Sequence, residues 1–298
     1  CSICSDNFSA NKKACRYNLL KPIYRQYGNC HCSLRAIANQ FGKNKPNYQI
    51  TLNIKMALRL LKKLKPPFLT QIKWKSIAEC VDFIFANFNE LIEKIQSLPK
   101  SRKQNYMKLI KFNWKELKDA ADIITSFIIS MEDDNMRIEF VFIKLFSTIS
   151  KLNALNNQIA KDLSLELLKT YVKNDNLAVS LAAFLLTSDG SLFYNQCNEE
   201  DKEYYYDNGI SGIKKFCRSF NMRLTTNIRN KFKDHLNQGY KYRMEPFIYW
   251  KMIDNELSNV ACMILSIPCS EAPVEKLFGG LSYMVDAASN KMKDDLID

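Results

Sequence analysis

Apolar residues recur every third or fourth position along most of the chain, the spacing that gives an α-helix one buried stripe. From 77 to about 171 the pattern has few breakers. Ile77, Val81, Ile84, Phe85, Phe88, Leu91, Ile92 and Ile95 predict one stripe. Trp114, Leu117, Ala121, Ile124, Phe127 and Ile128 predict a second, and Phe140, Ile143, Phe146, Ile149 and Leu152 a third. Upstream, residues 11–20 read as a basic helix and 32–41 have helical spacing. Residues 53–64 predict an amphipathic helix with Ile54, Ala57, Leu58 and Leu61 on one face, stopped by Pro66-Pro67. Residues 177–186, LAVSLAAFLL, predict a buried helix ended by Ser188-Asp189-Gly190. The acidic, aromatic stretch 198–208 reads as surface. Residues 210–235 read as a mostly polar helix, on which His235 is assigned no chemistry. Phe247, Trp250, Ile253, Leu257, Val260, Ala261 and Ile264 predict one further helix, broken at Pro268. Short extended pieces are expected at 1–5 and 68–72.

Composition supports a helical, globular reading. Apolar residues make up 47% of the 298, enough for a sizeable core, and 8 Gly with 8 Pro argue against a turn-rich all-β fold. No run of about 18 apolar residues predicts a membrane span, and no signal-peptide pattern opens the chain. The ten cysteines are scattered, which fits a reduced intracellular compartment better than a disulfide framework. Cys1-x-x-Cys4 and Cys30-His31-Cys32 lack the second spaced pair that structural zinc needs. The chain begins at Cys1 rather than Met, so it is expected to be a fragment.

Charge changes the picture more than composition does. The net charge is +12, but residues 7–78 hold fifteen basic residues and no acid, while the rest carries 28 basic and 31 acidic. Such a cationic field attracts phosphate backbones by releasing their counterions. Lys12, Lys13, Arg16, Lys62, Lys63, Lys73 and Lys75 are the expected contacts, with Trp74 among them as the aromatic. The competing reading is a solvated, lysine-rich surface.

The last sixty residues carry the most specific pattern. A helix bearing Trp250 is followed by Leu265-Ser266-Ile267-Pro268-Cys269-Ser270 and then Glu275-Lys276-Leu277-Phe278-Gly279, with Ser289-Asn290-Lys291-Met292 beyond. This resembles the carboxyl-terminal region of hAT-family DNA transposases. Upstream, Ser5-Asp6-Asn7-Phe8-Ser9-Ala10-Asn11-Lys12-Lys13-Ala14 is similar to the family segment bearing the second catalytic aspartate. Asn29 and Cys32 stand where the family has Cys and His, and Ile72-Lys73-Trp74-Lys75-Ser76 matches its Thr-Arg-Trp-x-Ser element.

The resemblance implies an α+β fold, predominantly helical: a partial RNase H-like core, a large all-helical insertion and a C-terminal helical dimerisation region. It divides the chain at 1–76, 77–240 and 241–298. It implies that Asp6 and Glu275 are two of three carboxylates holding two divalent ions, Mg²⁺ or Mn²⁺, about 3.5–4 Å apart. An ordinary turn Asp and a first-turn helix Glu are the bland alternatives. The resemblance also implies that Trp74 stacks on a flipped base, and that a homodimer forms through Trp250, Leu257, Phe278, Leu281, Met292 and Leu296. Helical spacing alone places Trp114 and Trp250 in the core. The expectation is a nuclear, transposase-derived, DNA-binding and self-associating protein without strand-cutting activity of its own. An active transposase lacking its amino-terminal finger and first aspartate in this stretch is one alternative. A helical protein-interaction scaffold is the other.

Overall fold

The computed structural model describes residues 41–267 except 44, 46, 70–73, 134–135, 174–175 and 239–243. Asp6, Lys12, Lys13, Arg16, Lys73, Glu275, Phe278, Leu281, Met292 and Leu296 lie outside the described residues, as do the extended piece expected at 1–5 and part of that at 68–72. The described residues form thirteen α-helices and no strand. They are α1 Tyr48–Leu60, α2 Trp74–Ala86, α3 Phe88–Gln96, α4 Lys100–Lys111, α5 Trp114–Met131, α6 Ile138–Ala154 and α7 Gln158–Lys173, then α8 Asn176–Leu185, α9 Ser188–Gln196, α10 Glu199–Ser219, α11 Thr226–Gln238, α12 Pro246–Met252 and α13 Glu256–Leu265.

One hydrophobic cluster runs from Phe41 to Ile267. Helices α1–α4 form one layer, and α5 joins it to the remainder by packing on α2, α6 and α7. The remainder surrounds α8, which touches α6, α7, α9, α10 and α13. Every residue from Val179 to Thr187 is buried, the outcome expected of a helix that is apolar on all sides. The boundary drawn at 76 falls in the first turn of α2. The one at 240 separates α12 and α13 from the core they complete.

Close approach makes room for α8. A Cβ on Gly212 of α10 would stand 2.0 Å from the Ala178 carbonyl oxygen and 3.0 Å from the Ala182 Cβ. At the far end the chain bends by 95° into α9. Here the structure corrects the sequence reading, because Ser188-Asp189-Gly190 opens a helix as well as following one. Thr187 is the N-cap, its Oγ1 accepting from the Gly190 N–H at 3.0 Å and donating to the Phe184 carbonyl at 2.7 Å.

The last carbonyls of a helix have no partner within it, and at α8 they are buried. The Trp250 Nε1–H donates to the Leu186 carbonyl at 2.8 Å, and His235 Nε2 lies 3.1 Å from the Leu185 carbonyl. His235 therefore corrects the polar-helix reading: it faces the core, 4.9 Å from the Trp250 ring. Burial pushes its pKa down from 6.5 to about 4, against the opposing effect of the Leu185 carbonyl. A neutral ring with hydrogen on Nε2 fits this contact.

Three further boundaries differ from the sequence reading. The stripe ending at Ile95 breaks at Asn87 between α2 and α3. The helix expected over 247–264 is two helices, because Asn255 caps α13 in a reciprocal pair with Ser258. On α6 the buried face is Ile138, Val141, Phe142, Leu145, Thr148 and Leu152, whereas Ile143 is 42% and Phe146 41% exposed.

Gly212→Ala should lower the free energy of unfolding in urea by about 2 kcal/mol, since only backbone movement relieves the clash, even though alanine favours helix by about 1 kcal/mol. Gly209→Ala meets the flexible end of Leu185 at 2.9 Å and the Phe232 ring edge at 3.0 Å, and should cost less. His235 has a folded pKa below its unfolded one. Its contribution is complete above pH 6.5 and is lost as pH falls toward 4. About 2 kcal/mol should be gone by pH 5, and His235→Gln should remove that component from melting curves measured between pH 7 and 5.

Candidate nucleic-acid interface

The basic residues follow from how α1 ends. Its buried face, with Ile50, Ile54, Ala57 and Leu58, packs inward, which leaves Arg59 exposed and Lys55 half-buried. Leu61 closes the helix with its N–H on the Ala57 carbonyl, and a 3₁₀ turn, Lys62–Leu64, follows. Lys65 adopts a left-handed conformation at φ 53°, after which Pro66-Pro67 prevents further helix. Lys62, Lys63 and Lys65 consequently project from a tight corner, all exposed.

Packing against α2 fixes the next segment. The Ser76 Oγ–H donates to the Phe68 carbonyl at 2.8 Å, and the Cys80 thiol contacts the Pro67 carbonyl at 3.8 Å. Burial pushes that thiol up to about 11, so it stays protonated at neutral pH. With its backbone held, the Phe68 side chain faces solvent at 86% exposure.

Trp74 is placed otherwise than the resemblance implies. It is the first residue of α2 and only 2% exposed. Its Nε1–H donates to Thr125 Oγ1 of α5 at 3.3 Å, and its ring meets Phe41 edge-on at 5.8 Å. Both ring faces are occupied by the core, which leaves none for a base. Lys75, the next residue, is exposed. Among the described residues Phe68 is the aromatic presented beside the lysines, and the Pro-Pro-Phe run after a basic turn was its trace in the sequence.

Helix α4 enlarges the patch beyond the limits read from sequence. It packs on α1 and α3, yet only Leu109 is buried. Lys100, Arg102, Lys108 and Lys111 are exposed and Lys103 is half-buried. Residues 41–111 hold fifteen basic and four acidic residues. The described ion pairs in this layer are Lys94–Glu90 at 3.1 Å and Lys118–Asp82 at 2.7 Å. Neither involves Lys62, Lys63, Lys65, Lys75 or a cation of α4. The acids gather elsewhere, with Glu199, Glu200 and Asp201 in the first turn of α10.

No family model, no curated protein and no solved structure matches this chain. Two residues of the expected dimer surface are enclosed in their own protomer: Trp250 is held by the Leu186 carbonyl, and Leu257 has no exposed surface. Both serve the core around α8, as helical spacing alone suggests. Among the described residues no three His, Cys, Asp or Glu side chains are grouped to hold a metal ion. Also among them, no single helix is long and apolar enough to cross a membrane.

Replacing the two aromatics should separate their roles. Trp74→Ala should lower the unfolding free energy by about 3–5 kcal/mol. Phe68→Ala should leave it unchanged but weaken binding of a single-stranded oligonucleotide by about tenfold, the value of one stacked base. Equal binding by Phe68→Ala and the parent chain would exclude stacking there.

Proposed function

We propose that this chain is a hAT-transposase-derived protein that binds DNA chiefly through the phosphate backbone and self-associates, without cutting strands by itself. The observation that carries the binding reading is the exposed cationic patch of α1, the 3₁₀ turn and α4, whose lysines have no carboxylate partner among the described residues. Unpaired surface cations gain from polyphosphate because each contact releases condensed counterions. Lys62, Lys63, Lys65 and Lys75 supply contacts in this reading, together with Arg102 and Lys108, and Phe68 supplies a stacking face. Lys12, Lys13, Arg16 and Lys73 extend the same field. DNA would meet the patch largely without regard to base sequence, in the nucleus.

The transposase origin rests on the resemblance around residues 264–280 and 5–14. In that reading the ends of the chain contribute strands of an RNase H-like core, in which Asp6 and Glu275 take two of the three carboxylate positions around Mg²⁺ or Mn²⁺. Two carboxylates hold a hard, strongly hydrated ion weakly, which is why no cleavage by this chain alone is proposed. With Trp250 and Leu257 committed to the core, self-association falls to Phe278, Leu281, Met292 and Leu296. Ile248 and Met252, exposed on α12, adjoin in sequence the helix that precedes that segment.

Titration with duplex DNA at several salt concentrations tests the binding reading. Affinity should fall steeply with salt, and Lys62→Ala with Lys63→Ala should lower the slope of log K against log salt by about one unit per lost contact. A salt-indifferent affinity would reject it. Light scattering at micromolar concentration should report a dimer that deletion of 281–298 converts to a folded monomer. A 34.6 kDa monomer before deletion would reject self-association.

A further inference from the structure

Between the starts of α6, α9 and α12 lies a cleft of about 480 Å³. Three helix N-termini converge on it, and each brings a carboxylate: Glu139 in the first turn of α6, Asp189 in that of α9, and Glu245 as the N-cap of α12. Arg137 is the only basic residue among the described lining. Its Nε–H donates to Glu139 Oε1 at 2.8 Å and its Nη1 pairs with Glu245 Oε1. Glu245 Oε2 accepts from the Ile248 N–H at 2.9 Å.

Carboxylates at helix starts offset the partial positive charge there, which accounts for Asp189 and Glu245 without a ligand. Glu139 is different. Its side chain is 3% exposed and its Oε2 accepts no hydrogen bond. A buried carboxylate oxygen left in that state is one that a donor would satisfy. One guanidinium faces three carboxylates, so the cleft keeps an excess of negative charge within a strongly cationic chain. Phe140, Ile143, Phe184 and Pro246 supply apolar wall.

We propose that this cleft binds a primary alkylammonium group, with the ammonium against Glu139 and Asp189 and the aliphatic stem along Phe140 and Ile143. The acidity excludes an anion. A second guanidinium fits less well, because Arg137 already holds Glu139 Oε1 and a single remaining acceptor suits a point-like donor better than a planar fork. The same chemistry is carried by a free polyamine and by a lysine side chain of another polypeptide. The cleft is built from elements other than α1–α4, so its occupancy and DNA binding can fail separately.

Calorimetry on the full chain without DNA tests this, using 1,4-diaminobutane and Nα-acetyl-lysine methylamide as probes and butane-1,4-diol as control. Saturable binding of at least one amine and none of the diol is expected. Glu139→Gln and Asp189→Asn should each weaken it by about tenfold. Asp189 is exposed, so its variant keeps the test valid where Glu139→Gln fails to fold. Tighter binding of the diamine identifies a free polyamine as the source, and tighter binding of the lysine derivative identifies a polypeptide. No binding of either amine at millimolar concentration, or binding untouched by Asp189→Asn, overturns the proposal.

Discussion

The removal of α8 from water on every side is the constraint on which the rest of this structure depends. A helix is wide, and enclosing one requires neighbours that come close without colliding. Gly212 lets α10 approach the backbone at Ala178 and Ala182, where any side chain would strike a carbonyl. Enclosure also buries the carbonyls at the helix end, which water can no longer satisfy. An indole and an imidazole from two later helices take that place. Bend, close crossing and capping are three answers to one problem, and each is supplied by a different part of the chain.

The same enclosure explains the division of charge. Lysine and arginine cannot enter the α8 core without partners, and they concentrate on α1–α4, the layer farthest from it in contacts. That layer is joined to the remainder through α5, where Trp74 reaches Thr125 and Trp114 closes the end of α4 by donating to the Leu109 carbonyl at 2.8 Å. The cationic surface is therefore carried on a packed scaffold. Counterion release needs charge density and little geometric detail, so a patch of this kind suits a backbone-reading role.

How much was legible in the sequence depends on the range of the deciding interaction. The buried α8 was written as a continuous apolar run, and α5 as a clear periodic stripe. Helix breaks at Asn87 and Asn255 were harder to read, since the stripe continues in register across both and only the cap reveals the end. On α6 two apolar faces compete, and contact with α8 decides between them. Of the interface, the lysines at 62, 63 and 75 were visible as charge. Trp74 misled because an aromatic among lysines looks like a stacking residue, whereas Phe41 and Thr125, far away in sequence, draw it inward. His235 left no trace at all, because its partner carbonyl is fifty residues away.

That separation bears on how the chain is made. Synthesis proceeds from the amino terminus, and α8 leaves the ribosome well before residues 235 and 250 exist. Until they arrive, its terminal carbonyls and one of its apolar flanks face solvent, a condition that favours sticking to other chains. Contacts so distant in sequence also close slowly. The nascent protein thus passes through an interval in which its most apolar helix is its least protected, and timely arrival of the carboxyl-terminal third decides whether that helix becomes a core or an adhesive surface.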